Sequence, residues 1–288
     1  MTPLINDPND DQISIEEVIN KINELPSMPE IAREMLNDLN NEDISMESIV
    51  EKVALDQSLA AKVIQLANTS YYGSNSKVVT IQQAVSMLGT KNLKDMIRAS
   101  IFNKHLPVPR CRGFDNKAFW RHNMATAICA EVISRTLHLK HDFAFTAGLL
   151  HDIGRLVLVS KFPKHYEQVI DCAKENDCGL IEAERAVLGV DHVGVGLILA
   201  LQWNFSDVIQ DAIRGHHAPD DQELHPIASI IHVANAIVHG LDLSETEDEL
   251  APQVSQFAWN NLGLDEAAYH AIFHETELRF EAMNQILQ

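Results

Sequence analysis

Apolar residues in this chain recur with the period of an α-helix almost from end to end, and this limits the fold more than any other feature. Met46, Ile49, Val50 and Val53 are spaced i, i+3, i+4, i+7, and Ile81, Ala84, Val85 and Leu88 repeat the pattern. Ile31, Met35 and Leu39 recur every fourth residue, and Leu59, Val63 and Leu66 continue the theme. Such spacing puts an apolar stripe on one helix face, which must be buried against another element. No run alternates apolar and polar residues long enough for a strand; "KVVTI" from Lys77 comes nearest and is short. Start signals agree with helices. Ser14 with Glu17, Ser27 with Glu30 and Thr80 with Gln83 fit the capping box. Gly73 and Gly89 sit where helices should stop. The expected fold is all-α.

The punctuation divides the chain. "KHLPVPRCRGF", from Lys104 to Phe114, holds Pro107, Pro109 and Gly113 and reads as a loop. Before it lies an N-terminal helical bundle, residues 14–106. After it lies a second helical unit, residues 115–240, with most of the histidines. Residues 241–288 read as an acidic linker and a C-terminal helical extension, helical from about Asp265. In the linker, Ser244 with Glu247 can cap a short helix whose stripe is Leu250, Val254, Phe257 and Ala258. The last segment carries apolar groups on more than one side, so it must be buried or meet another chain.

Charge and composition exclude several classes. The formal net charge of −19 argues against a nucleic-acid partner, which needs a basic face. From Gly240 onward ten acidic residues face one basic residue, Arg279; the simplest reading is a solvated face. No run approaches the roughly 18 apolar residues of a membrane span. The start, "MTPLINDPNDDQ", lacks the basic end and apolar run of a signal peptide. Cys111, Cys129, Cys172 and Cys178 form no CxxC pair and read as free thiols of a reducing cytoplasm.

"LLHDIGRLVL", from Leu149 to Leu158, then poses a question of chemistry. His151 and Asp152 lie adjacent in an apolar run, and a buried carboxylate needs a partner. Gly154 fits a helix end there, where both side chains could face one cleft. Further ligands would come from other helices: His122 in "FWRHNMATAICAEVISR", His192 in "LGVDHVGVG", and His216 and His217 in "IRGHHAPDD". Histidine plus carboxylate suits Zn²⁺, Fe, Mn²⁺ or Ni²⁺, not Ca²⁺. The competing reading is ordinary: histidines in apolar surroundings hydrogen-bond in the core, and a chain with 14 of them brings some together by chance. His270 and His274, at i, i+4, read as surface residues. His138, His141, His165, His225 and His239 are assigned no role.

The order of these motifs resembles the HD superfamily of metal-dependent phosphohydrolases: His122, then "LLHDIG", then "HH", then "HVANAI". "LPSMPEIA" from Leu25, "VALDQSLAAKVIQLANTSYYG" from Val53 and "TIQQAVSMLGTKNLKDMI" from Thr80 narrow the likeness to the HDOD family, the HD-related output domain of bacterial signalling proteins. "ERAVLGVDHVGVGLILALQW" fits the same family in the same order, and the resemblance covers residues 14–240. One departure is Asp56–Gln57, where the family frequently has Asp-Pro. The superfamily's metal set is His, His-Asp and a distant Asp. Its first three members match His122, His151 and Asp152; the fourth falls on Asn235, a poor metal ligand. His192, His216 and His217 resemble extra ligands of the HD-GYP phosphodiesterases, although no GYP motif follows. The resemblance therefore implies a cytoplasmic signal-transduction module acting through a protein or ligand, with a degenerate site for Fe, Mn, Zn or Ni. Its partner would be a signalling protein or a small ligand, and its alternative activity hydrolysis of a nucleotide or cyclic dinucleotide.

Overall fold

Helices form where the periodicity places them, and no strand occurs among the described residues. The computed structural model describes residues 13–24, 44–54, 57–72, 77–105, 110–139, 143–221, 223–245 and 251–287. The helix expected on Ile31, Met35 and Leu39, the Ser27–Glu30 cap and the stop at Gly73 lie outside the described residues.

The N-terminal part holds α1 (Ile15–Asn23), α2 (Met46–Ala54), α3 (Gln57–Ala67), a 3-10 turn (Ser70–Tyr72) and α4 (Ile81–His105). Ser14 Oγ accepts the Glu17 N–H at 3.1 Å, capping α1. Thr80 and Gln83 cap reciprocally: Gln83 Oε1 accepts the Thr80 N–H and Thr80 Oγ1 accepts the Gln83 N–H, each at 3.2 Å. Gly89 differs from expectation. It kinks α4 (φ 77°, ψ 159°) rather than ending it, because glycine adopts positive φ freely and the helix resumes on buried Leu93 and Ile97.

The remainder is α5 (Asn116–Thr136), α6 (Ala144–Leu150), α7 (Ile153–Lys161), α8 (Pro163–Asn176), α9 (Leu180–Leu188), α10 (His192–Gln202), α11 (Asp207–Gly215), α12 (Ile227–Gly240), α13 (Gln256–Leu262) and α14 (Glu266–Leu287). Every residue of α5 from Arg121 to Ser134 is buried. A helix covered on all sides is a core element, and α5 packs against α6, α12 and α14.

The C-terminal segment is part of that core. Tyr269, Ile272, Phe280 and Met283 of α14 are buried, and the helix lies on α5, α3 and the 3-10 turn. Arg279 Nη2 donates to Glu131 Oε2 of α5 at 2.9 Å. The apolar groups on several sides of this helix meet its own chain. The preceding short helix begins at Ser255, whose Oγ accepts the Ala258 N–H at 3.2 Å, rather than at Ser244; Glu247 and Leu250 lie outside the described residues.

Candidate metal centre

His151 and Asp152 occupy the junction between α6 and α7. The local reason is steric. Gly154 lies in the first turn of α7, not at a helix end, and a Cβ there would collide with the His192 carbonyl oxygen. Only glycine lets α7 approach the start of α10 this closely. A Cβ on Gly148 would likewise come within 2.6 Å of the Ala127 Cα, so α6 needs glycine to lie on α5 beside His122. Two glycines thus bring four helices together, α7 onto α10 and α6 onto α5.

Asp152 is the N-cap of α7 but its side chain makes no capping bond. Instead Oδ2 accepts from Arg155 Nη1 at 3.1 Å, and Oδ1 faces His216 Nε2 at 3.3 Å, His192 Nε2 at 3.4 Å and His151 Nε2 at 3.6 Å. His192 Nε2 lies 3.2 Å from His216 Nε2 and 3.0 Å from His217 Nε2. His122, His151 and Asp152 form an adjoining group; in each group the ligand atoms lie within 4.8 Å of one another. All six candidate residues therefore meet in one cluster, with Asp152 common to both halves.

The far side of each ring fixes what the near side offers. His192 Nδ1 donates to Glu184 Oε2 at 2.6 Å, His216 Nδ1 to the Ile213 carbonyl at 2.8 Å and His151 Nδ1 to the Gly148 carbonyl at 2.7 Å. These partners only accept, so each Nδ1 carries the proton and each Nε2 turns a lone pair inward. In the neutral rings the Nε2 lone pairs of His192 and His216, 3.2 Å apart, repel unless a proton or a cation lies between them. Four ligands arranged tetrahedrally about Zn²⁺ at its usual bond lengths stand about 3.3 Å apart, and the Nε2 and Oδ1 atoms already have nearly that spacing. His151 Nε2, His122 Nδ1 and Asn235 Oδ1 are buried with no hydrogen-bond partner. Orphaned buried atoms of this kind need a partner from outside the chain, a water or an ion. The residues fit a divalent transition metal.

The electrostatics agree. Burial, reinforced by His239, pushes His122 down to about 3. Burial likewise drives His151 and His217 below the usual histidine range. These rings are neutral, the form that binds metal. Burial also lowers His192, but the Glu184 carboxylate more than offsets it. Burial alone raises the Asp152 carboxyl; His151, His216, His192 and Arg155 outweigh that and hold it well below the usual carboxylate range.

A cleft of about 520 Å³ opens beside the cluster, lined among others by Asp152, Arg155, Leu180, His239 and Pro252. Three participants escaped the sequence reading. His239 lies over the His122 ring at 4.6 Å; its i+4 spacing from Asn235 was the available signal. Arg155 is i+3 from Asp152 on α7, again a legible spacing. Glu184 had no such signal, because "ERAVL" resembles any solvated helix start, yet its side chain is fully buried.

A family model described as the HDOD domain matches residues 25–219. A crystal structure from Shewanella amazonensis SB2B, named a putative phosphohydrolase, is 28% identical with a TM-score of 0.71, covering 94% of this chain and 98% of that one. An HDOD domain protein of unknown function from Geobacter sulfurreducens is 22% identical with a TM-score of 0.72, covering 91% of this chain and 89% of its own. An uncharacterized protein of Treponema pallidum (strain Nichols) is 24% identical over 242 residues, 82% of this chain and 46% of the relative. The chain thus spans about half the length of that curated relative.

Proposed function

We propose a function from one premise: the chain belongs to the HDOD domain family. It is a signal-transduction module whose His–Asp cluster holds a divalent transition metal and which works by binding rather than by turnover. The unit that does so is residues 14–240, with α14 packed on it. What supports the metal is the convergence of protonated-outside, lone-pair-inside histidines on Asp152. What supports binding over turnover is Asn235. It is buried at the cleft wall where the superfamily set has a carboxylate, and it supplies an uncharged amide oxygen. A bound ion supplies Lewis acidity toward an oxyanion such as a phosphoryl oxygen. The chain's own residues do the rest. Arg155 keeps Asp152 ionised and places positive charge at the cleft. Leu180 and Pro252 give that cleft an apolar wall.

The partner is a signalling protein or a small phosphorylated ligand such as a cyclic dinucleotide. The net charge of −19 disfavours nucleic acid. The four free cysteines support a cytoplasmic module. Among the described residues no helix is long and apolar enough to cross a membrane.

A second reading, a metal-dependent phosphohydrolase, is favoured by the open cleft with Arg155 and by the name of the Shewanella relative. One assay separates the two. Protein loaded with Mn²⁺, Fe²⁺ or Ni²⁺ is given nucleoside phosphates and cyclic dinucleotides. Trace hydrolysis, equal in wild type and His151→Ala, is expected. Robust turnover abolished by His151→Ala would replace the binding reading with the enzymatic one.

A further inference from the structure

The two halves of the cluster are built unequally. In the half made by Asp152, His192, His216 and His217, two imidazoles are locked from behind. Glu184 Oε2 accepts both the His192 backbone N–H at 2.8 Å and its Nδ1–H at 2.6 Å. The other Glu184 oxygen accepts the Tyr166 hydroxyl at 2.9 Å, so this buried carboxylate is fixed at both ends. A carboxylate behind a ligating imidazole sets its tautomer and orientation and strengthens it as a donor.

In the half made by His122 and His151, the Gly148 carbonyl holds His151 Nδ1 at 2.7 Å, but no carboxylate among the described residues is hydrogen-bonded behind either ring. His122 Nδ1 has no hydrogen-bond partner, and its ring lies against His239 rather than a carboxylate. The position that would complete its ligand set holds Asn235. The halves also compete for one anion. Asp152 Oδ2 is paired with Arg155, which leaves Oδ1 alone to serve both, and Oδ1 stands nearer His192 and His216 than His151. A second dication would add two positive charges beside the first and beside Arg155, and among the described residues Asp152 is the one carboxylate grouped with His122 and His151.

Resting on the metal-binding reading above, we infer that this chain has one tight metal seat. It is made by Asp152, His192, His216 and His217, and Glu184 is its positioning residue. The His122–His151 half does not hold an ion of its own. This reverses the weight that the order of the HD motifs gives to His122 and His151.

The test is metal content and affinity of the full chain, purified without a polyhistidine tag and titrated with Zn²⁺ or Mn²⁺ against a competing chelator. About one equivalent binds tightly to wild type. His217→Ala, at a partly exposed position, loses the tight ion, while His122→Ala keeps it within a few-fold. Glu184→Gln retains shape and an acceptor oxygen but not the charge, and weakens binding about 10–100-fold. Circular dichroism of each variant confirms unchanged helix content. Two tight equivalents, or loss of the ion in His122→Ala with retention in His217→Ala, overturn the single seat and leave the metal reading standing. A folded wild type that binds no ion overturns both.

Discussion

Two buried polar clusters lie at opposite faces of α5, and they solve the problem of buried charge in different ways. In the first, imidazoles surround Asp152, and several buried ring and amide atoms have no protein partner. In the second, acidic and basic side chains meet inside the chain. Lys91 and Arg279 hold Glu131 at 3.0 and 2.9 Å, and Arg98 holds Asp95 at 2.9 Å. Arg279 belongs to α14, Glu131 to α5 and the other three to α4, so this cluster ties three helices together. The first gathers atoms able to bind a metal around one carboxylate; the second sets acids against bases and fastens the C-terminal helix. Both are buried, and what distinguishes them is residue type: imidazoles around one carboxylate can take a cation, whereas carboxylates facing Lys91, Arg98 and Arg279 already have theirs.

The comparison breaks most visibly if α14 is removed. Tyr269, Ile272, Phe280 and Met283 are buried, and at about 1.5–3 kcal/mol each their loss costs about 6–12 kcal/mol. That matches the whole stability of a typical domain, about 5–15 kcal/mol. Deleting residues 264–288 is therefore expected to give a protein that aggregates or melts without a cooperative transition. A monodisperse truncation with full helix content would show that the fastening is dispensable.

A smaller change isolates the charge. Arg279→Ala leaves Glu131 buried with only Lys91, and breaking a buried pair this way costs about 3–5 kcal/mol. Thermal melts with and without chelator give the contrast: the loss should be the same in both, because the cations facing Glu131 are the chain's own Lys91 and Arg279. A loss that appears only on chelation would tie the two clusters together.

The finest distinction lies in pH. His122 falls to about 3 from an ordinary 6.5, so the unfolded chain binds the extra proton between those values. Stability from the first cluster is therefore full above about 6.5 and lost as pH falls toward 3. Asp95 has the opposite sign. Burial and the neighbouring Glu131, against the pull of Arg98 and Arg279, push its carboxyl up to about 7 from 3.8. The folded state then holds the extra proton, and this contribution is lost as pH rises through 7. Asp95→Asn removes the opposing proton. In metal-free protein it should steepen the gain of stability between about pH 4 and 6.5 by one proton, about 1.4 kcal/mol per unit. Urea midpoints across that range measure it. An unchanged slope would mean that Asp95 is ionised throughout.

Much of the fold was legible because helix formation is local. Ser14 and Thr80 cap where the capping pattern places them, and Leu59, Val63 and Leu66 are buried as their spacing requires. The site was legible by residue type, since His151 and Asp152 stand out in "LLHDIGRLVL". Its supports were not. Glu184 is far from His151 in sequence and has the look of a surface residue, and no periodicity reports that Tyr166 and His192 close over it. Gly154 was read as a helix end, but its meaning is a close approach to α10, which requires the other helix to be in place.

Periodicity, caps and residue chemistry thus set the all-α class, most helix positions and the set of atoms able to bind metal, because each depends on neighbours within a turn or two. Three-dimensional packing decided the rest. It turned the tail from a candidate partner surface into core, set Arg279 against Glu131 across 148 residues, and made one half of the His–Asp cluster better supported than the other. Those outcomes depend on distances between helices remote in sequence, and side-chain spacing along one helix carries no information about them.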